Sequence, residues 1–120
     1  MTGIVNTRGL ALVSVTFRHP QAAYRLDLEA MVDTGCEVDA VLSSLEIAAL
    51  GLPYWRTHII QLANGVSHPT RVYSGAIEWC GTLRLIDVYE SGGGLPLLGA
   101  HLLTPHTLVI DYGQRTVEIR

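Results

Sequence analysis

The chain has 120 residues, enough for one domain and too few for two of ordinary size. Hydrophobic residues make up 48% and charged residues 16%, which supplies a core and leaves apolar surface that a second subunit could cover. The net charge is -3 and the eight Lys and Arg residues form no basic stripe, which argues against a nucleic-acid partner.

The opening "MTGIVNTRGL" lacks the charged-then-apolar layout of a signal peptide. No apolar run approaches the roughly 18 residues of a membrane helix. The expectation is a cytoplasmic protein with no membrane association. Cys36 and Cys80 are too few for a disulfide framework and form no CxxC pair, so free thiols are expected.

Two-residue alternation then dominates. In "LVSVTFRHP", Val13, Val15 and Phe17 share one face, and His19-Pro20-Gln21 forms a turn. In "YRLDLEAMV", Tyr24, Leu26, Leu28 and Ala30 share a face against Arg25, Asp27 and Glu29. The two runs predict an antiparallel hairpin whose second strand leads into Asp33-Thr34-Gly35. Ala40-Val41-Leu42 is a short strand. Ser43 with Glu46 three residues on predicts a capping box, and Gly51 predicts the end of a helix of about two turns.

Strands resume in "THIIQLANGVSHPTRVYSGAIEW", with Asn64-Gly65 as a tight turn. Gly81 turns the next hairpin, and "ESGGGLP" is a loop inside the domain. "LPLLGAHLL" predicts a short strand and one helical turn, and "TLVIDYGQRTVEIR" a hairpin around Tyr112-Gly113-Gln114. The fold class is all-β with one or two short helices, closed or nearly closed as a β-barrel, over 1–120 as a single domain.

Asp33 is the residue to which chemistry attaches. A strand delivers it and Thr-Gly bends the chain at once, a setting that can hold a carboxylate rigidly. Two carboxylates at about 3 Å share one proton, because both cannot ionise together. The ionised one activates water and the protonated one donates to a carbonyl oxygen. Taken alone, the tripeptide reads first as an Asx turn in which Asp33 bonds its own backbone.

Three stretches carry a resemblance: "MVDTGCEVDAVLSSLEIAALGL", "IQLANGVSHPTRVYSGAIEW" and "LPLLGAHLLTPHTLVIDYGQRTVEI". Over about residues 10 to 119 the chain resembles the retropepsin-like (clan AA) aspartic proteases, closest to their small stand-alone bacterial and archaeal branch. The resemblance implies the acid-protease β-barrel with one lobe per chain. It implies a homodimer acting on a peptide or protein substrate, with no cofactor and no metal. Asp33 would be the catalytic aspartate, paired with Asp33 of a second copy, with Thr34 and Gly35 supporting the turn. Ala63-Asn64-Gly65 would form the flap over substrate. Leu97-Leu98-Gly99 would thread beside the aspartate loop.

The chain holds one Asp-Thr-Gly, so a twofold dimer would supply the second carboxylate. Asp111 in "VIDYG" lacks both Thr and the adjacent Gly and suits a strand end before a turn. Cys36, Val38 and Ala100 depart from the family pattern. A cysteine-hydrolase reading with His101 or His106 as base has no local signature behind it. The five histidines have no metal-ligand spacing and suit the surface. Val41, Ile60 and Ile86 are expected to line the substrate pocket. The alternative function is a noncatalytic dimerisation or peptide-binding module with the same fold.

Overall fold

The computed structural model describes residues 1–61 and 63–120. Its first long hairpin is the predicted one. Strands β2 (Ala11–Arg18) and β3 (Arg25–Val32) pair antiparallel, with Val13 opposite Ala30, Val15 opposite Leu28 and Phe17 opposite Leu26. The alternation predicted for β2 sends Val13, Val15 and Phe17 into the core. Tyr24 lies one residue before β3 and is exposed; the His19 N–H bonds its carbonyl and closes the hairpin loop there.

Strand β4 (Ala40–Ser43) runs directly into helix α1 (Ser44–Leu50). Ser43 accepts the Glu46 amide, and Glu46 accepts the Ser43 amide in return, so both ends of the capping box are made. Gly51 caps the other end in the left-handed conformation. A seven-residue helix is marginal by itself. Ile47 and Leu50 anchor it to the core.

Strands β5 (Tyr54–Gln61), β6 (Ser67–Trp79) and β7 (Thr82–Ser91) form two successive hairpins. The second turns on Cys80-Gly81, both with positive φ, as a two-residue turn between Trp79 and Thr82 requires. After the glycine loop come β8 (Leu97–Leu98), α2 (Ala100–Leu103), β9 (Leu108–Asp111) and β10 (Thr116–Ile119).

The strands run in the order β5-β6-β7-β4-β8-β3-β2, and a further pairing of β6 with β2 joins the ends of this run into a ring. Phe17, Leu42, Leu50, Ile77, Leu98 and Leu102 fill its interior and are fully buried. Each contributes about 1.5–3 kcal/mol relative to exposure. Outside the ring, strand β1 (Thr2–Val5) pairs with β2 on one side and β10 on the other. Its four residues have a weak alternation, and one of its two partners, β10, is over a hundred positions away.

Candidate active site

Asp33 follows the last residue of β3, and β8 sets its position. The two residues of β8 lie between β3 and β4, parallel to the first and antiparallel to the second. The Leu98 carbonyl accepts the Asp33 amide at 2.9 Å, and the Pro96 carbonyl accepts the Met31 amide at 2.8 Å. The Asp39 carbonyl accepts the Gly99 amide at 2.9 Å, and the Cys36 carbonyl accepts the Ala100 amide at 2.6 Å. Leu97-Leu98-Gly99 therefore lies along the 33–39 loop, tied to its start and its end. A Cβ at Gly99 would collide with the Val38 carbonyl, so the close approach requires glycine.

The turn itself is tight. The Asp33 carbonyl accepts the Cys36 amide at 3.1 Å, and Asp33 Oδ1 accepts the Gly35 amide at 3.1 Å. The Asx-turn bond is thus made, and it leaves Oδ2 and the remaining lone pairs of a half-buried carboxylate available. Thr34 and Gly35 are exposed. Both turn readings are compatible with this geometry.

Gly35 and Cys36 line one side of a cavity of about 590 Å³. Val38 and Val41 continue that wall. His58, Ile60 and Gln61 from β5, His68 and Thr70 from β6, and Tyr89 from β7 face them, and Glu37, Glu90, Ser91 and Gly92 complete the lining. The β5–β6 hairpin therefore contributes to the same cavity as the aspartate turn. Its tip residues Ala63, Asn64 and Gly65 are exposed, with Asn64 Oδ1 accepting the Val66 amide at 3.0 Å. Leu62 beside them lies outside the described residues.

Of the expected pocket residues, Val41 and Ile60 line this cavity, and Ile86 does not. Ile86 is 5% exposed and belongs to the core cluster, because β7 turns that face toward the ring interior. A larger cavity, about 730 Å³, is lined by Met1, Arg18, Cys80 and Arg120 among others. Arg18 pairs with Arg25 at the far end of the β2–β3 hairpin, about 25 Å of extended chain from Asp33. It is the smaller cavity that adjoins the turn.

The polar groups of the site were only partly legible. Tyr89 places its hydroxyl 2.7 Å from His58 Nδ1, and burial pushes its pKa up. Thr70 is buried beside them. Nothing in the local sequence around Tyr89 or Thr70 marks them, because β6 and β7 bring them in from separate strands.

Besides His58, two histidines assigned to the surface have side-chain partners. His101 Nδ1 lies 2.6 Å from Asp39 Oδ1. His106 Nε2 accepts the Trp79 indole N–H at 3.1 Å, so its Nδ1 carries the proton donated to the Arg120 carbonyl at 3.1 Å. Neither is bonded to the Cys36 thiol, and burial pushes that thiol up, away from the thiolate a nucleophile needs. Asp111 accepts the Gln114 amide at 2.9 Å at its strand end, as expected of a turn residue. Among the described residues no cluster of side chains suits a metal ion, and no helix is long and apolar enough to cross a membrane.

No family model matches the chain, and no curated protein does. Among solved structures it is similar to the EIAV protease complexed with the inhibitor HBY-793. The TM-score is 0.60 and the identity 18%, over 82% of this chain and 88% of that one. At that identity the likeness establishes the fold. The protein is a mostly-β chain with two short helices and a ring of strands, in the retropepsin-like arrangement.

Proposed function

We propose that the protein is an aspartic endopeptidase that works as a homodimer, of the small stand-alone bacterial and archaeal kind. The observation that carries the reading is the Asp33-Thr34-Gly35 turn, held by β8 and bordering the cavity that β5 and β6 help to line. The fold shared with a protease supports it. One chain has one such turn, and the reaction needs two carboxylates, so the second comes from Asp33 of another copy.

In this reading the two Asp33 carboxylates hold one proton between them. The ionised carboxylate takes a proton from water as the oxygen attacks the peptide carbonyl carbon. The protonated carboxyl donates to the carbonyl oxygen, giving a tetrahedral diol. Its collapse breaks the C–N bond, with a proton passing to the leaving amine. Thr34 and Gly35 support the turn across the axis. Ala63-Asn64-Gly65 closes over substrate and sheds water. Leu97-Leu98-Gly99 keeps the aspartate loop in place. Both thiols are free, which fits work in the reducing cytoplasm.

The test is mass in solution across concentration, by sedimentation, with cleavage of a mixed peptide library measured on the same samples. Activity should rise with the dimer fraction and fall to an aspartic-protease inhibitor. A monomer at every concentration would overturn the proposal. The Asx bond from Gly35 to Asp33, and Cys36 and Ala100 at departing positions, favour a second reading. There the fold serves as a noncatalytic dimerisation or peptide-binding module, and the same library would be bound and left intact.

A further inference from the structure

Asp39 is 6% exposed, and its carboxylate is one of few buried polar groups among the described residues. Burying a carboxylate is unfavourable unless its lone pairs are engaged. Both oxygens are engaged, each by a different element. Oδ1 lies 2.6 Å from His101 Nδ1 at the start of α2, and Oδ2 accepts the Asp87 amide of β7 at 3.0 Å. The Asp39 carbonyl meanwhile accepts the Gly99 amide. One residue thus joins the end of the aspartate loop to α2 and to β7.

Leu102 and Leu103 bury the later part of α2 in the core, which leaves its start to be held. The helix has four residues and no side-chain cap at its start, and Ala100 beside His101 offers only a methyl group. Arg84 accounts for its other end, donating to the carbonyls of Leu102 and His101 at 2.9 and 3.3 Å. His101 itself is 69% exposed on its side chain. Core packing does not hold the imidazole, so its bond to a buried carboxylate is what places it.

We infer that Asp39 and His101 form a positioning pair for the Asp33 turn, clamping the 33–39 loop against residues 98–101. The pair acts through Gly99 and Ala100, whose amides bond the Asp39 and Cys36 carbonyls, and through Leu98, whose carbonyl holds Asp33. Two turns meeting at a twofold axis must agree in position to share a proton, so slack in either loop is felt twice. The catalytic part of the inference rests on the aspartic peptidase reading, and the mechanical part does not.

The test compares His101→Ala with His101→Asn in the full chain. Asparagine places Nδ2 one bond beyond Cγ, as histidine places Nδ1, and can donate to Asp39; alanine cannot. Hydrogen exchange of the Gly35, Cys36, Gly99 and Ala100 amides is read beside kcat and KM on the peptide library. In His101→Ala those amides should exchange about ten-fold faster while β6 and β7 are unchanged, and kcat should fall about ten-fold at constant KM. His101→Asn should restore most of both. Unchanged exchange in His101→Ala, loosening spread evenly over the chain, or no rescue by Asn would overturn the inference. If the unmodified protein cleaves nothing, the peptidase reading fails and the exchange data still decide the clamp.

Discussion

Gly99 and Val38 sit so close that a Cβ on Gly99 would overlap the Val38 carbonyl oxygen and lie 2.8 Å from that of Cys36. Both obstacles are backbone and cannot swing aside. Gly99→Ala must therefore push β8 away from the 33–39 loop or break the Gly99–Asp39 bond. A loss of about 3 kcal/mol or more is expected in urea unfolding. Gly65→Ala is the contrast. It meets no atom within 4 Å and is strained only by its positive φ, for a cost of about 1 kcal/mol.

Asp33→Asn should abolish turnover and keep the fold. The asparagine carbonyl can still accept the Gly35 amide, so the turn survives while the shared proton is lost. Cleavage should drop by at least about 10³-fold, with an unchanged far-ultraviolet dichroism spectrum. Turnover surviving the change would remove Asp33 from the mechanism. A dyad with one shared proton also requires a bell-shaped profile with its best rate at mildly acidic pH, and a flat profile would contradict it.

Ser43→Ala removes the acceptor for the Glu46 amide and unravels the capping box of α1. The expected cost is about 1 kcal/mol, with unchanged cleavage at saturating dimer. Thermal and urea midpoints measure it. A null effect would mean that the Ile47 and Leu50 contacts alone hold the helix.

Burial first, and then the neighbouring Asp39 charge, raise the pKa of Asp87. A carboxyl whose folded pKa exceeds its unfolded one favours folding while protonated. That contribution is complete below the unfolded pKa, near 3.8, and is lost as pH rises through the folded value. Asp87→Asn should therefore raise the urea midpoint at pH 7, with the gain shrinking on acidification. The Asp87 amide that bonds Asp39 is backbone and remains. A lower midpoint at neutral pH would show that the charge is favourably placed.

Local chemistry wrote most of the secondary structure into the chain. Period-two alternation marked β2 and β3, Ser43 with Glu46 and Gly51 bounded α1, and Asn64-Gly65 and Gly81 marked two turns. These signals act within a few residues, so they survive translation into a one-dimensional pattern. The Asp-Thr-Gly turn was legible for the same reason, since its defining bonds run from Asp33 to Gly35 and Cys36. β1 was not, because four residues carry too little pattern and one of its two partner strands, β10, is more than a hundred positions away.

Tertiary structure alone decided what surrounds the turn. It placed two residues, Leu97 and Leu98, between β3 and β4, and turned Ile86 into the core. It brought Tyr89 to His58 across 31 positions and His101 to Asp39 across 62. A histidine in a sequence has no visible partner. Its role follows from which buried acceptor the closing of the ring leaves within hydrogen-bond reach, and that is a property of strand order rather than of neighbouring residues.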